Sequence, residues 1–147
     1  MTLNLPQAPT SYLITSGETT ANSTPASEDF QKILAIVTTA VAQRVSLIQL
    51  REKNLSARTL FQLATQAAAI TRHSSTRLLV NDRPDIARAA RADGVHLTTR
   101  SLQVGVVRHA FGDELLIGVS THTLDEARAA RDGGADFAVF GPIFETP

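Results

Sequence analysis

Two kinds of apolar pattern alternate along this chain. Short apolar runs read as strands, and between them apolar residues recur at three- and four-residue spacing, as on helices with one buried face. Residues 11–15, 47–50, 77–80, 94–97, 115–120 and 137–141 are the runs. A helix opens at Ser27, with Glu28 and Asp29 in its first turn, and carries Phe30, Ile33, Leu34, Val37 and Val41 to an end near Arg44. Ser56 caps a second, whose buried stripe is Leu60, Phe61, Leu63, Ala64, Ala67, Ala68 and Ile70, with Arg72 and His73 in the last turn. Pro84 suits the first position of a third, running through Arg91. Ser101 caps a fourth, carrying Leu102, Val106, Val107 and Ala110. Thr123 and Glu126 form a capping box for a fifth, stopped by Gly133 and Gly134.

Residues 1–11 hold Pro6 and Pro9 and read as an irregular arm, which leaves 12–147 as one domain. Residues 18–26 are polar, contain Pro25, and are the stretch best suited to disorder. An internal echo supports a repeated unit. Ala87-Arg88-Ala89-Ala90-Arg91 recurs as Ala127-Arg128-Ala129-Ala130-Arg131, and each copy leads to an Ala-Asp pair, Ala92-Asp93 and Ala135-Asp136, before a strand.

Six strands alternating with five helices predict parallel strands covered by helices, an α/β fold. An eight-fold (βα) barrel needs roughly 200 residues or more, and this chain has 147. It stops just after a strand, so the expectation is a barrel cut after its sixth strand. A complete open doubly wound sheet is the competing arrangement.

Composition narrows the chemistry. Lys plus Arg and Asp plus Glu both number 14, so zero net charge gives no support for a nucleic-acid or anionic-membrane partner. Cysteine is absent, which removes disulfides, thiolate nucleophiles and Cys-ligated metals. No apolar run reaches membrane-spanning length, and residues 1–10 lack the order of a secretory signal, so a cytoplasmic location is expected. No Gly-x-x-x-x-Gly-Lys, Gly-x-Gly-x-x-Gly or Gly-x-Ser-x-Gly occurs, which disfavours nucleotide hydrolysis, dinucleotide redox chemistry and α/β-hydrolase chemistry.

The polar residues gather at strand ends: Gln49, Arg51 and Lys53; Asn81 and Asp82; His96 with Thr98 and Thr99; Ser120 to Thr123; and Gly141 to Thr146. In a barrel these open onto one rim, where ligands bind. Period-two alternation puts Gln49, Arg51 and Lys53 on one face, either as a diphosphate cluster or as a strand running into a solvated loop. Asp82 either binds Mg²⁺ or caps the helix at Pro84. His122 either shuttles a proton or hydrogen-bonds within its loop. His96, inside an apolar strand, reads as a satisfied core histidine, and His73 and His109 as surface residues. Ser120 and Thr146 are candidate phosphate contacts.

Five motifs in register carry a resemblance: Gln49-x-Arg51-x-Lys53, Asn81-Asp82-Arg83, residues 92–97, Gly118-Val119-Ser120-Thr121-His122-Thr123, and Gly141-Pro142-Ile143-Phe144-x-Thr146. Together they resemble the thiamin phosphate synthase/TenI family of (βα)8 barrels, from about Tyr12 onward. The resemblance implies a transferase that joins hydroxymethylpyrimidine diphosphate to a thiazole phosphate and releases pyrophosphate. By it, Gln49, Arg51, Lys53 and Asn81 hold the diphosphate, Arg51, Lys53 and His122 act in catalysis, Asp82 binds Mg²⁺, and Ser120 and Thr146 contact the substrates. The TenI branch implies a metal-free tautomerisation of a thiazole carboxylate phosphate, with the proton moved by His122. Partners are then the small phosphorylated substrates, and self-association stays open.

Two departures stand out. The position matching a second acidic Mg²⁺ ligand is Ser101. The family's last two strands, and a lysine shortly after Thr146, are not in the sequence. The 147-residue chain alone is therefore expected not to turn over, with its first and sixth strands as exposed edges. A barrel that binds a thiazole phosphate without converting it is the non-enzymatic alternative.

Overall fold

The computed structural model describes residues 10–145. Six strands, β1 (Tyr12–Ile14), β2 (Leu47–Leu50), β3 (Arg77–Asn81), β4 (Gly94–Leu97), β5 (Leu116–Thr121) and β6 (Phe137–Phe140), form one sheet in chain order, and every neighbouring pair is parallel. Helices α1 (Glu28–Ala42), α2 (Ala57–Thr71), α3 (Pro84–Ala89), α4 (Val104–Phe111) and α5 (Leu124–Asp132) fill the connections, with a 3-10 turn at Gly112–Glu114. The sheet is curled into part of a barrel and stays open between β1 and β6 among the described residues.

Strand alternation sorts side chains onto two faces. Ile48, Leu50, Leu78, Val80, Val95, Leu97, Ile117 and Val119 face the helices and form the core with Phe30, Val37, Leu63 and Ala67. Fully burying each large aliphatic side chain stabilises by about 1.5–3 kcal/mol. The residues between them (Tyr12, Gln49, Leu79, His96, Gly118 and Phe137) share the concave face. There the polar ones are bonded to one another.

Helix detail departs from the sequence pattern in specific places. Phe61 is 40% exposed, and Leu102 and Val106 are 58% and 53% exposed, so they lie outside the buried stripes. Phe61 is one step, about 100°, from the buried Leu60. In α4 the buried residues are Val104 and Val107, one turn apart. Its N-cap is Gln103, not Ser101. Ser101 instead closes a turn, accepting from Thr98 N at 2.8 Å. Helix α3 stops at Ala89, and Arg91 follows with φ 58°. Arg72 is the C-cap of α2 rather than part of its last turn. The caps at Ser56 and the Thr123–Glu126 capping box form as expected.

The 18–26 stretch is held rather than loose. Glu52, 3% exposed, accepts from Thr19 Oγ1 at 2.6 Å and from Thr19 N and Gly17 N at 3.3 Å. Asn54 Nδ2 donates to Thr19 O, and Ser23 Oγ donates to Asp29. A buried carboxylate needs such partners, and this loop supplies them.

The internal echo is a structural repeat. Asp93 accepts from Leu78 N and from Arg77 Nη1, and Asp136 accepts from Ile117 N and from Arg108 Nη2. Each aspartate stands just before a strand and ties it to the N-terminal end of the preceding strand.

Candidate active site

Parallel strands place the C-terminal ends of β2 to β6 along one edge of the sheet. Arg51 to Lys53, Asp82, Thr98, His122 and Gly141 all follow a strand on that edge. Two clefts open there and share Thr98.

The first cleft, about 360 Å³, brings together Lys53, Asn81, Asp82, Arg83, Thr98 and Arg100. Three cations thus stand with one unspent carboxylate. Asp82 takes φ 60°, a left-handed conformation that Asp tolerates better than most residues. Its carboxylate accepts no hydrogen bond among the described residues, and it does not cap α3, whose N-cap is Arg83. Arg83 forks onto Asp85 at 2.9 and 2.6 Å. That hydrogen bond raises the Arg83 pKa and lowers that of Asp85. Glu52 also lines the cleft, but its oxygens are taken by Gly17 and Thr19. Asn81, 8% exposed, leaves Oδ1 buried without a partner. An unsatisfied buried acceptor beside a free carboxylate is a place where a ligand or hydrated cation completes the bonding.

The second cleft, about 520 Å³, is lined by Ser101, Ser120, Thr121 and Glu126 with Leu97 and Thr98. The Ser101 hydroxyl is engaged by Thr98 N and lies 3.1 Å from Thr98 Oγ1. Asp82 and Ser101 therefore line different clefts.

Gln49 and Arg51 line neither cleft. Gln49, 2% exposed, lies on the concave face and donates Nε2–H to Tyr12 OH at 2.9 Å. Arg51 lies beyond the end of β2, exposed, with its backbone N–H on Thr15 Oγ1. The strand ends at Leu50, and Arg51 and Lys53 lie past it, both exposed, with Glu52 buried between them. His122 is exposed, with Nδ1 2.6 Å from Gly141 O. Thr146 lies outside the described residues.

His96 is 3% exposed, and both ring nitrogens are bonded, Nδ1 to Tyr12 OH at 2.9 Å and Nε2 to Ser120 Oγ at 2.8 Å. Burial pushes its pKa down to about 4. Burial also pushes the Tyr12 hydroxyl above its ordinary value, against the opposing effect of Gln49. Arg83, Arg100 and Tyr12 are the site-lining residues that the sequence reading gave no role. Arg83 stood inside the Asn-Asp-Arg motif, Arg100 beside Ser101, and Tyr12 is the single tyrosine of the chain.

Among the described residues no helix is long and apolar enough to cross a membrane, and no three His, Cys, Asp or Glu side chains gather as a metal cluster.

Comparison with known proteins fits this architecture. A thiamine phosphate pyrophosphorylase from Pyrococcus furiosus superposes with a TM-score of 0.77 at 28% identity, over 93% of this chain and 62% of that one. A 3-dehydroquinate dehydratase from Geobacillus kaustophilus shares the fold, with a TM-score of 0.67 at 16% identity over 91% of this chain. A relative named thiamine-phosphate synthase from Moorella thermoacetica is 44% identical over 113 residues, 77% of this chain and 54% of its own length. Another of that name, from Haloarcula marismortui, is 42% identical over 111 residues, 76% of this chain and 53% of its own. The chain thus spans about half the length of the curated relatives it matches. The family model described as thiamine monophosphate synthase matches residues 19–147, and the chain belongs to that family, the thiamine monophosphate synthase/TenI family.

Proposed function

We propose that the rim of this chain serves thiamine-phosphate synthase-type chemistry. In that reaction the bond from the pyrimidine methylene carbon to the diphosphate oxygen breaks. Pyrophosphate leaves with the electron pair, and the thiazole nitrogen forms the new bond to carbon. The enzyme's task is to stabilise charge building on the leaving group. The observation that carries the proposal is the first cleft, where Lys53, Arg83 and Arg100 surround Asn81 and Asp82. Arg supplies planar forks and Lys a point charge, which suits a diphosphate. Arg51, exposed at the same edge, would swing onto the anion. Gln49 would act from beneath, through Tyr12. Ser120 would contact a substrate from the concave face, where its hydroxyl meets His96. Thr146 keeps its proposed phosphate role.

Mg²⁺ fits this donor set. It binds through one or two carboxylates plus substrate phosphate and retained waters. Asp82 offers a free carboxylate, and Asn81 Oδ1 is a buried oxygen without a partner. Ser101 is spent in its turn and adds no charge. When bound, the ion would neutralise part of the diphosphate charge. A cytoplasmic location, as for a biosynthetic enzyme using small phosphorylated substrates, belongs to the same proposal.

Serine at position 101 favours a second reading, TenI-type tautomerisation, because it supplies no second carboxylate to hold Mg²⁺ at the rim. His122 would then move the proton. Pyrophosphate release decides between them. Both substrates and Mg²⁺ are supplied to the 147-residue chain, and to the same chain joined to the portion of the Moorella relative that it does not cover. Release that depends on Lys53 and Asp82 supports the synthase. Aromatisation of the thiazole carboxylate phosphate without release, abolished in His122→Ala, supports the tautomerase.

A further inference from the structure

Four side chains on the concave face form one unbroken series. Gln49 Nε2 lies 2.9 Å from Tyr12 OH, Tyr12 OH 2.9 Å from His96 Nδ1, and His96 Nε2 2.8 Å from Ser120 Oγ. They come from four different strands, β2, β1, β4 and β5. Gln49 and His96 are 2% and 3% exposed, and Tyr12 and Ser120 are half-buried. Phe137 packs on both rings of the series, at 5.7 Å from Tyr12 and 6.0 Å from His96.

Donor and acceptor inventory gives the series a direction. An amide nitrogen only donates, a phenol has one proton, and a neutral imidazole donates from one nitrogen and accepts at the other. The Gln49 amide fills an acceptor position on Tyr12 OH. The phenol proton then goes to His96 Nδ1. The ring proton is left on Nε2 and points at Ser120 Oγ. Ser120 makes no second hydrogen bond among the described residues, so its own proton is left for a ligand on the concave face, where its hydroxyl meets His96.

We infer that Gln49, Tyr12 and His96 are positioning residues that hold His96 as the neutral Nε2–H tautomer and fix Ser120 as a hydrogen-bond donor to the ligand. A protonated donor selects an acceptor atom: an unprotonated ring nitrogen or a phosphate oxygen. The specificity half of this inference rests on the proposed substrate role of Ser120. The tautomer half does not. Were the Gln49 amide turned over, every bond would reverse, the proton would sit on Nδ1, and Ser120 would meet a ligand as an acceptor. The two arrangements have opposite signatures.

The test is a long-range ¹H–¹⁵N correlation spectrum of the chain labelled in its histidine rings, with His96 assigned through its backbone. The expected result is Nε2 in the protonated range and Nδ1 in the unprotonated, acceptor range. Ser120→Ala keeps that pattern, because Tyr12 still donates to Nδ1. Tyr12→Phe loses it to a mixture of tautomers. A protonated Nδ1 in the unaltered chain overturns the inference without need of any variant. An unchanged tautomer in Tyr12→Phe overturns the role of Tyr12. For the ligand, the unaltered chain and Ser120→Ala are titrated with hydroxymethylpyrimidine and separately with inorganic pyrophosphate. A loss of roughly three- to tenfold in one titration, the size of one net hydrogen bond, identifies the acceptor. Equal affinities in both titrations, or no binding of either probe, overturn the donor role of Ser120 toward a substrate and leave the tautomer result standing.

Discussion

Tyr12 and Phe137 meet edge to face, with ring centroids 5.7 Å apart and planes at 81°. One belongs to the first strand and the other to the sixth, at opposite ends of the sheet order. Only a curled sheet brings them together. The contact depends on a residue with no side chain. A Cβ on Gly118 would stand 2.3 Å from Phe137 Cζ. Gly118→Ala should therefore push Phe137 off Tyr12 and His96 and destabilise the chain by about 1–3 kcal/mol, the usual cost of overpacking. The shift of the urea midpoint measures it. Phe137→Leu in the same background should recover part of the loss, because it removes the ring atoms that clash.

His96 makes stability depend on pH. Its folded pKa, about 4, lies below the ordinary 6.5, so between those values the unfolded chain binds more protons. The contribution is complete above 6.5, declines as pH falls, and is spent near 4. About 3 kcal/mol is at stake over that window. Tyr12 works at the other end. Its pKa is raised, so its contribution is complete below 10 and is lost as pH rises beyond that. Urea titrations at successive pH values should show the acid slope, and His96→Gln should flatten it.

The alternation of strands and helices was legible because each strand is a compact apolar run and each helix has a spaced apolar stripe. The Ala-Asp repeat was legible as sequence, and its meaning is geometric. Asp136 receives Ile117 N and Arg108, as Asp93 receives Leu78 N and Arg77. What the pattern could not supply was the fate of residues just beyond a strand. Arg51 and Lys53 lie beyond β2, which ends at Leu50, while Glu52 between them turns inward to hold a loop about 35 residues away. Nor does a period-two pattern say that Tyr12 reaches across the concave face to His96, since that contact depends on curl. The repeat carries its own prediction. Asp136→Ala strands the Ile117 amide and should cost about 1–3 kcal/mol. Asp93→Ala should cost a similar amount. Tested by thermal unfolding, the two should be nearly additive, since they share no partner.

Glu52 should be the anchor of the first rim loop. It is 3% exposed and takes three hydrogen bonds from Gly17 and Thr19. Glu52→Ala leaves those donors without an acceptor and should release residues 17–19. Hydrogen exchange should quicken at the Gly17 and Thr19 amides and stay unchanged at Leu78, whose amide is held by Asp93. Glu52→Gln keeps an acceptor and should lie between the two.

Arg100 should be an anion contact of the first cleft. It is exposed, lines the cleft with Lys53 and Arg83, and has no salt-bridge partner among the described residues. Arg88, by contrast, is already paired with Glu114 at 2.7 Å and lies outside the cleft. Arg100→Ala should weaken inorganic pyrophosphate binding by about 1.5 kcal/mol, the scale of a charge-assisted hydrogen bond and roughly tenfold in affinity. Arg88→Ala should leave it unchanged. The Arg100 effect should shrink as salt rises from low to physiological concentration, because an exposed cation acts through solvent. Asp82→Asn should act differently. It should remove the dependence of pyrophosphate affinity on Mg²⁺ while leaving metal-free binding equal or stronger, since it deletes a negative charge beside an anion. Calorimetric titration of the three variants with pyrophosphate, with and without Mg²⁺, separates a cation that holds the anion from a carboxylate that holds the metal.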